Sequence, residues 1–339
     1  MNLRTLAEHL GLSQTTVSLV LNNTTASRSI PQATQLRVRE AAAQLQYKPN
    51  YFARSLRSNR SQAIGILTPD LSEGYFTLVM NGVQRELLNA QYFYFTACHD
   101  WRPERMTKYP ALLADRSVDG FLLLNTQVEI DLPVPVVAIS SHLNQTGITN
   151  LCLDHERAAK IALKHLFELG HRAIAFMRGP ALIPDSQYRW LGIKKAARML
   201  GLQLIPERIV SLDEANTSPQ IGYQKTQELL ARRVPFTALF CFNDGTAMGA
   251  MRALEEEGMR VPEDVSVIGF DDVISASYIR PSLTTVRQPL FEMGMRGAQV
   301  LLQRIADPQL SVPSEILFEP ELMIRESSGP APRKAGRRR

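Results

Sequence analysis

The spacing of apolar residues over positions 1–45 predicts three helices. The first run predicts a helix over 3–10 that ends at Gly11. Ser13 can cap a second helix over 14–21, whose inward positions are Val17, Val20 and Leu21. A third helix begins at Pro31 and runs to about Leu45. Two short helices joined by a glycine turn are typical of an all-α helix-turn-helix unit, whose second helix enters the major groove of DNA.

From residue 62 onward, short β-rich runs alternate with amphipathic stretches of helix length. A first series comprises 63–69, 76–89, 92–98, 120–125 and 134–140. A second series comprises 155–169, 173–179, 188–200, 219–233, 238–243, 244–258 and 265–271. The alternation predicts an α/β core of two doubly wound, parallel-sheet subdomains, with ligand bound at the carboxyl ends of the strands. The stretch 284–328 can complete both sheets by crossing between them.

These patterns divide the chain into five parts. The helix-turn-helix domain occupies 1–49, and a short basic segment with a polar linker occupies 50–61. The first core subdomain comprises 62–157 plus 287–316, and the second comprises 158–286 plus 317–328. The final segment, 329–339, is basic and rich in proline and glycine, so we expect a disordered tail there.

The net charge of +5 is distributed unevenly along the 339 residues. Residues 1–60 carry eight arginines and lysines against two acids, a net charge of +6, whereas residues 61–328 carry −6. The remaining +5 lies in the tail. A basic head on an acidic body is the charge distribution of a nucleic-acid-binding module joined to a part with another task. A solvated basic face is the alternative, and charge alone does not exclude it.

Several features favour a cytoplasmic protein. The N-terminal residues include no apolar secretory segment, and the apolar runs fall far short of the roughly 20 residues that span a bilayer. The three cysteines (Cys98, Cys152 and Cys241) lie within apolar runs and form no Cys-x-x-Cys pair. We therefore expect reduced thiols in the protein core.

The sequence offers little support for an enzyme. It contains no Gly-x-Gly-x-x-Gly, P-loop, Gly-x-Ser-x-Gly or His-Glu-x-x-His motif. The six histidines are scattered, and each fits a surface or satisfied core position better than a ligand position. The pair Asp271-Asp272 follows a predicted strand, but no histidine or third carboxylate nearby supports a metal site there. We therefore expect no catalytic residues, no cofactor and no metal.

Motifs in one consistent order along residues 3–328 resemble the lactose/galactose repressor (LacI/GalR) family. In the head these are LAEHLGLSQTTVS at 6–18, YKPN at 47–50 and ARSL at 53–56. In the core they include Ile64-Gly65, Pro69-Asp70, Asn243-Asp244, GFDD at 269–272 and LTTV at 283–286. The resemblance implies a bacterial repressor, a homodimer that binds a two-fold-symmetric DNA operator. It also implies a core like periplasmic sugar-binding proteins, controlled by a small effector such as a sugar.

The second helix carries the candidate base contacts. Gln14, Thr15 and Ser18 are expected on its exposed face, where glutamine can pair with adenine and threonine can contact a thymine methyl group. Ser13 and Asn22 are expected to contact phosphates. The alternative is that these polar residues only solvate the helix. The family pattern extends the predicted DNA contacts to Thr34, Tyr47, Asn50 and Ala53.

Two further positions bear on DNA recognition. The resemblance implies that residues 50–56 form a hinge helix when two chains meet over the minor groove, with Leu56 inserted at the central base step. An ordinary linker role for Leu56 is the alternative, although the nearby Arg54, Arg57 and Arg60 favour contact with phosphates. Leu19 replaces a long basic side chain of many relatives, so a guanine contact is not expected there.

Candidate effector-binding residues follow the predicted strands or match the family's cleft pattern. They are Asp70, Tyr75, Phe76, Ser140, Arg189, Asn243 and Asp271. Carboxylates, an amide and a guanidinium beside aromatic faces suit a polyhydroxyl ligand. A turn or helix cap is the alternative role for Asp271, and a core role is the alternative for Tyr75 and Phe76. Ser140 replaces an aspartate of many relatives, and 213–219 lacks their aromatic residue, which weakens the sugar interpretation.

Two rival functions remain at the level of sequence. A soluble sugar-binding protein of transport would share the predicted core, but the basic head argues against it. A sugar- or nucleotide-processing enzyme would share the fold, but the catalytic residues are missing. The C-terminal segment has no apolar heptad repeat that could pair chains further, so we expect a homodimer rather than a tetramer.

Overall fold

The computed structural model describes residues 2–22, 25–47, 60–72, 74–128, 132, 134–212 and 216–332. The chain forms two compact units, Met1–Gln62 and Ala63–Arg339. The expected hinge helix over 50–56 lies outside the described residues. Among the residues described, no helix combines the length and apolarity that crossing a bilayer requires.

The head unit contains the three predicted helices, α1 (Leu3–Leu10), α2 (Gln14–Leu21) and α3 (Gln32–Gln44). A 3-10 helix, Thr25–Ser29, precedes α3. Asn2 accepts a hydrogen bond from the backbone N–H of Thr5 at 2.9 Å, and Gly11 ends α1 with a φ of 61°. The three helices share a small apolar core comprising Leu6, Ala7, Leu10, Val17, Val20, Val38, Ala41 and Ala42.

The second unit alternates strands and helices. The strands are β1 (Ala63–Thr68), β2 (Phe93–Cys98), β3 (Gly120–Leu124), β4 (Val136–Ile139), β5 (Ile148–Leu153), β6 (Ile174–Arg178), β7 (Ile209–Ser211), β8 (Ala238–Phe240), β9 (Ser266–Asp271), β10 (Thr284–Arg287), β11 (Glu315–Phe318) and β12 (Glu321–Met323). The helices are α4 (Gly74–Asn89), α5 (Pro103–Ala114), α6 (His155–Glu168), α7 (Pro184–Met199), α8 (Pro219–Ala231), α9 (Asp244–Glu256) and α10 (Leu290–Ala306). Short 3-10 helices occur at Pro206–Arg208 and Ile274–Ser277.

The strands form two six-stranded sheets, one in each core subdomain. The first has the order β11-β5-β4-β3-β1-β2, and all its neighbours are parallel. The second has the order β12-β10-β9-β8-β6-β7, in which only the edge strand β12 is antiparallel to its neighbour. Each sheet places its second strand outside its first, as doubly wound folds do. The predicted fold class is therefore confirmed.

The chain passes between the two subdomains three times, at Asp154, at 288–289 and at 319–320. The boundaries expected at 157/158, 286/287 and 316/317 therefore fall inside α6, β10 and β11. Asp154 marks the true start of α6, because its carboxylate accepts a hydrogen bond from the N–H of Arg157 at 2.8 Å. The expected role of 284–328 holds, since this stretch supplies β10 and β12 to one sheet and β11 to the other.

Some elements have no counterpart among the predicted segments. These are α5, β5 and β7, and α7 begins at Pro184 rather than near residue 188. Strand β5 is buried throughout although it contains the polar residues Thr149 and Asn150. The Asn150 amide accepts from the N–H of Leu143 at 2.8 Å and donates to its carbonyl at 2.9 Å. Because the loop backbone satisfies this side chain, the strand can bury a polar residue. That residue interrupts the apolar run by which a buried strand is recognised in the sequence.

The beginning of the C-terminal tail is ordered, contrary to the expectation for 329–339. The Gly329 N–H donates to Ser266 Oγ at 3.0 Å, and the Gly329 carbonyl lies 3.0 Å from Nε2 of His171. The Ala331 N–H donates to the carbonyl of Leu169 at 2.8 Å. These hydrogen bonds fasten residues 329–332 to the second subdomain, and the basic residues 333–339 lie outside the described part of the chain.

Each subdomain contains a helix pair that packs closely through glycines. A Cβ on Gly82 of α4 would lie 2.0 Å from the carbonyl oxygen of Phe291, and one on Gly294 of α10 would lie 2.0 Å from that of Val79. In the second subdomain, Gly222 of α8 and Gly249 of α9 approach each other's helix in the same way. Side chains at these positions would collide with backbone, which cannot rotate away.

We expect Gly294→Ala to lower the free energy of unfolding by about 1–3 kcal/mol, because the added methyl group must separate α4 from α10. Urea unfolding of the full chain measures this change. Gly297→Ala on the same helix is the matched control, since its Cβ would meet the flexible end of the Ile139 side chain at 2.7 Å. Equal losses for the two variants would contradict the close helix contact.

Candidate functional site

The first candidate site is the exposed face of α2. Ser13 caps this helix, because its Oγ accepts a hydrogen bond from the N–H of Thr16 at 3.0 Å. Gln14 and Thr15 follow in the first turn and are exposed. The opposite face packs into the head core through Val17 and Val20. The burial of one face thus holds the two polar side chains at a defined position on the other, as base readout requires.

The structure corrects the expectation that Ser18 is exposed. Its exposed fraction is only 6%. The Asn22 amide, one helical turn later, donates to the Ser18 carbonyl at 2.8 Å and to its Oγ at 3.2 Å. The same Asn22 supplies a backbone N–H to the Ser18 carbonyl and ends α2. Ser18 and Asn22 therefore shape the end of the helix, and the phosphate contact expected of Asn22 stays a prediction.

The remaining predicted DNA contacts have mixed positions. Thr34 is half-buried in the first turn of α3, and Tyr47 is half-buried against the head core. Leu19 is half-buried as well. Asn50, Ala53 and Leu56 lie outside the described residues, so their roles stay predictions from the family resemblance.

The second candidate site is a cleft in the core unit. Six of the seven predicted effector-binding residues line it together, namely Asp70, Tyr75, Phe76, Arg189, Asn243 and Asp271. Ser140 is not among the lining residues and is fully buried at the end of β4. Ser140 is therefore not itself a lining residue, and its part in effector binding stays a prediction.

The cleft lies at the carboxyl ends of both sheets. Asp70 and Asn125 follow β1 and β3 of the first sheet, whereas Asn243 follows β8 and Asp271 ends β9 of the second. In a doubly wound sheet these strand ends leave a crevice where the connections diverge to opposite faces. A ligand here would contact both subdomains.

Arg189 is the most constrained charged group of the cleft. It lies in the second turn of α7 rather than at its start, and only 4% of its surface is exposed. Its Nη1 donates to the carbonyl of Phe242, and its guanidinium carbon lies 3.5 Å from the ring centroid of Phe270. Burial lowers the pKa of Arg189, while the negative charges of Asp271 and Asp185 oppose this shift. An arginine remains a cation under such conditions, so it offers charge and a planar hydrogen-bonding edge.

The two aspartates after β9 have different tasks. Asp272 accepts hydrogen bonds from Arg287 at 2.7 Å and Arg325 at 2.6 Å, which anchor the turn. Asp271 then has a φ of 113°, a conformation that side chains rarely adopt, and its Oδ1 accepts from Gln288 Nε2 at 2.6 Å. Strained backbone of this kind persists where its surroundings hold it in place. The anchored Asp272 is one such restraint, and the strain directs the Asp271 carboxylate to the cleft.

Asn243 has a structural role in addition to its place in the cleft. It caps α9, because its Oδ1 accepts hydrogen bonds from both the N–H and the Oγ1 of Thr246 at 2.9 Å. Thr246 Oγ1 in turn accepts from the Asn243 N–H at 3.1 Å, which completes a capping box. The amide nitrogen of Asn243 takes no part in this capping pattern.

Several buried polar atoms around the cleft have no hydrogen-bond partner among the described residues. They include Oδ1 of Asn125, Nε of Arg189 and Oε1 of Gln288, the residue whose amide nitrogen holds Asp271. Unpaired buried polar atoms are rare in folded proteins because each costs free energy. Their concentration here indicates a site adapted to a polar ligand.

The sequence analysis missed half of the residues that line the cleft. These are Trp101, Asn125, Ile183, Asp185, Thr217 and Phe242. Asn125 could have been found, since it directly follows a predicted strand, as could Phe242 beside Asn243. No sequence pattern marks Trp101 or Asp185, which reach the cleft only through the packing of the subdomains.

Comparisons with known proteins agree with this architecture. Residues 2–50 match the profile described as "Bacterial regulatory proteins, lacI family", and residues 163–328 match the profile "Periplasmic binding protein-like domain". The head and core thus define a transcriptional regulator built from a DNA-binding unit and a ligand-binding unit.

Relatives that span the whole chain narrow the class to a family. The chain is 34% identical over 336 residues to the "HTH-type transcriptional repressor PurR" of Haemophilus influenzae, covering 96% of this chain and 98% of the relative. The chain therefore belongs to the LacI family of DNA-binding transcriptional regulators and is not an enzyme.

Solved structures of LacI family regulators have the same fold. The lac repressor dimer bound to operator and the anti-inducer ONPF superposes with a TM-score of 0.84 at 27% identity, covering 97% of this chain and 99% of that one. A LacI family regulator from Enterococcus faecium with bound ribose has a TM-score of 0.71 at 31% identity, covering 79% and 99%. The rival interpretation as a transport protein is excluded, because the likeness includes the helix-turn-helix head.

Two substitutions separate the structural role of Asn243 from any role in ligand binding. We expect Asn243→Ala to lower the free energy of unfolding by about 1 kcal/mol, because the cap of α9 is lost. Asn243→Ser should retain stability within about 0.5 kcal/mol, since serine is an equally good cap. Urea unfolding checks both values, and a serine variant as unstable as the alanine variant would show that capping is not the main structural role.

Proposed function

We propose that the protein is a homodimeric repressor that acts in the bacterial cytoplasm, where Gln14 and Thr15 of each α2 contact base edges of a two-fold-symmetric operator. The observation that supports this is the arrangement of α2, which is capped by Ser13, buried on one face and polar on the other. The +6 charge of residues 1–60 supplies attraction to phosphates. Thr34, Tyr47 and Asn50 are proposed as supporting contacts, with Ser13 at a phosphate.

The hinge is part of the same proposal. Leu56 would insert at the central base step of the operator, and Ala53 would lie beside it in the minor groove. An apolar side chain inserted between base pairs makes bending of the duplex part of recognition. The support for these two residues is the ARSL motif at 53–56 and its basic neighbours.

We propose that exposed apolar side chains on the core contribute to the surface at which two chains meet. In the first subdomain Leu88, Phe93 and Phe95 are exposed by 56%, 65% and 38%. In the second, Ile274 and Tyr278 are exposed by 69% and 80%. Large apolar groups of this kind mark protein contacts when they are grouped. We assign them to the homodimer, in line with the dimeric lac repressor.

We propose further that the cleft binds a small polyhydroxyl effector, such as a sugar. The unpaired Asn125 and Arg189 atoms and the carboxylates of Asp70 and Asp271 can bond to hydroxyl groups. Aromatic faces suit the apolar face of a sugar ring, and Trp101 supplies one that the segment 213–219 lacks. The relative from Enterococcus faecium was solved with ribose.

Effector binding can control DNA binding because the cleft residues belong to both subdomains. A ligand shifts an equilibrium between conformations only by its differential affinity for them. A ligand that contacts Asp70 on one side and Asn243 on the other would favour the closed arrangement of the core. That change would reach the operator through the dimer.

We expect Gln14→Ala to weaken binding to the operator by about 1–3 kcal/mol, while binding to random DNA changes little, because only base readout is lost. The operator is first selected from a random duplex pool, and binding is then measured at several salt concentrations. Gln44→Ala, at the exposed end of α3, is the matched control. Equal losses on operator and random DNA would remove Gln14 from base readout. A stoichiometry other than two chains per duplex would contradict the dimer.

We expect Arg189→Lys to weaken effector binding by at least about tenfold, because lysine cannot reproduce the planar edge of arginine. The chain has two tryptophans, so Trp190→Phe leaves Trp101 in the cleft as the fluorescent reporter. Titration of that protein with a panel of monosaccharides identifies the ligand. Arg198→Lys, exposed on the same helix, is the control. Operator affinity without effector should stay within a few-fold, and unchanged sugar binding by Arg189→Lys would exclude Arg189 from the site.

A further inference from the structure

Two histidines and an aspartate meet where the two core subdomains face each other. His142 follows β4 of the first sheet, whereas His155 begins α6 and Asp185 lies in the first turn of α7. Their side chains are only 7%, 4% and 3% exposed. Oδ1 of Asp185 lies 2.7 Å from Nε2 of His142 and 3.1 Å from Nε2 of His155. One ligand atom from each residue fits within 4.8 Å of the others.

Hydrogen bonds among the described residues account for only part of this cluster. Nε2 of His142 donates to Oδ1 of Asp185, whereas the approach of His155 Nε2 to the same oxygen lacks hydrogen-bond geometry. Neither ring nitrogen of His155 has a hydrogen-bond partner among the described residues, although the residue is only 5% exposed. A buried imidazole in this state is costly, so the cluster points to a ligand that engages it.

The surroundings of His142 fix the orientation of its ring. Nδ1 of His142 lies 3.4 Å from Sγ of Cys152, and the ring stacks on Tyr188 with centroids 3.8 Å apart and an angle of 16°. These contacts direct Nε2 toward Asp185 and His155. Metal-binding histidines are commonly oriented in this way through their second nitrogen.

The three residues are of the types that bind divalent metal ions. Two imidazoles and a carboxylate are ligands that zinc and related divalent ions accept. Arg189 opposes a cation here, and Asp271 partly offsets its charge.

We propose that His142 Nε2, His155 Nε2 and a carboxylate oxygen of Asp185 bind one divalent transition-metal ion of the zinc class. Zinc lies about 2.0–2.2 Å from such ligands and prefers four of them, so small movements of the side chains complete three positions. Because Asp185 also lines the cleft, the fourth position can be filled by water or a cleft ligand. The ion would connect the two subdomains. The effector proposal does not depend on this connection.

The test uses the full-length chain, purified without a histidine tag and stripped of metal with a chelator. Zinc chloride is titrated against a chromophoric chelator, in the absence of DNA and sugar. We expect one zinc ion per chain and a loss of affinity greater than about 100-fold in both His142→Gln and His155→Gln, because removal of a ligand costs more than removal of its support. His99→Gln is the matched control, since His99 is buried in the first subdomain and bonds to Thr126 at 2.9 Å.

A second measurement guards against variants that lose zinc by misfolding. Each metal-free variant must bind operator with the affinity of the wild type. If a variant does not, the test uses cobalt spectroscopy on the wild type instead. Cobalt(II) should show the visible bands of a tetrahedral site without a thiolate charge-transfer band, because Cys152 faces the other nitrogen of His142. Cys152→Ser should retain zinc.

The outcomes are distinct. No zinc uptake by the wild type, full zinc affinity in His155→Gln, or a thiolate band with cobalt would each overturn the proposal. Because metal binding is measured without DNA or sugar, such a failure leaves the operator and effector proposals untouched. Conversely, failure to find a sugar ligand would not alter the zinc result.

Discussion

The three crossings between the two sheets are the constraint on which the core depends. They hold the carboxyl edges of both sheets against a shared cleft, at Asp154, 288–289 and 319–320. Each crossing is short, so the two subdomains can change their closure more readily than they can separate. Most polar groups of the cleft lie at a strand end or within the first two turns of a helix that this arrangement brings to the interface. A regulator that couples ligand binding to a change of conformation needs a connection between subdomains that permits such a change.

The polar groups buried between the two core subdomains lower the stability of the fold and are available for ligand binding. Asn125 and Arg189 at the cleft and His155 beside it have atoms without partners among the described residues. A core selected only for stability would replace such groups with apolar ones, because each unpaired atom costs about 1–3 kcal/mol. Asp271 adds backbone strain to the same region, and the ion pairs of Asp272 hold it in place. Costs of this kind are concentrated where proteins bind ligands.

The head shows how few residues position a recognition helix. Its core is small, and the caps at Asn2 and Ser13 together with the turn at Gly11 define where α1 and α2 begin and end. Polar residues of α2 therefore divide into two groups. Ser13 and Asn22 maintain the helix ends, while Gln14 and Thr15 remain on the exposed surface.

Local pattern determined much of this protein from the sequence alone. The helix over 3–10, its stop at Gly11, the cap at Ser13 and the two alternating series follow from capping chemistry and hydrophobic periodicity, which act over a few residues. The strand-end residues Asp70, Asn243 and Asp271 were predictable for the same reason, since doubly wound sheets place ligands at those ends.

Tertiary structure decided what depends on contacts between distant segments. Ser18 is buried and hydrogen-bonded to Asn22, and Asn150 is tolerated in a strand because the backbone at Leu143 satisfies it. His142, His155 and Asp185 converge only when the two sheets face each other. No periodicity marks such positions, because their burial and partners come from residues whose separation along the chain is unrelated to their separation in space.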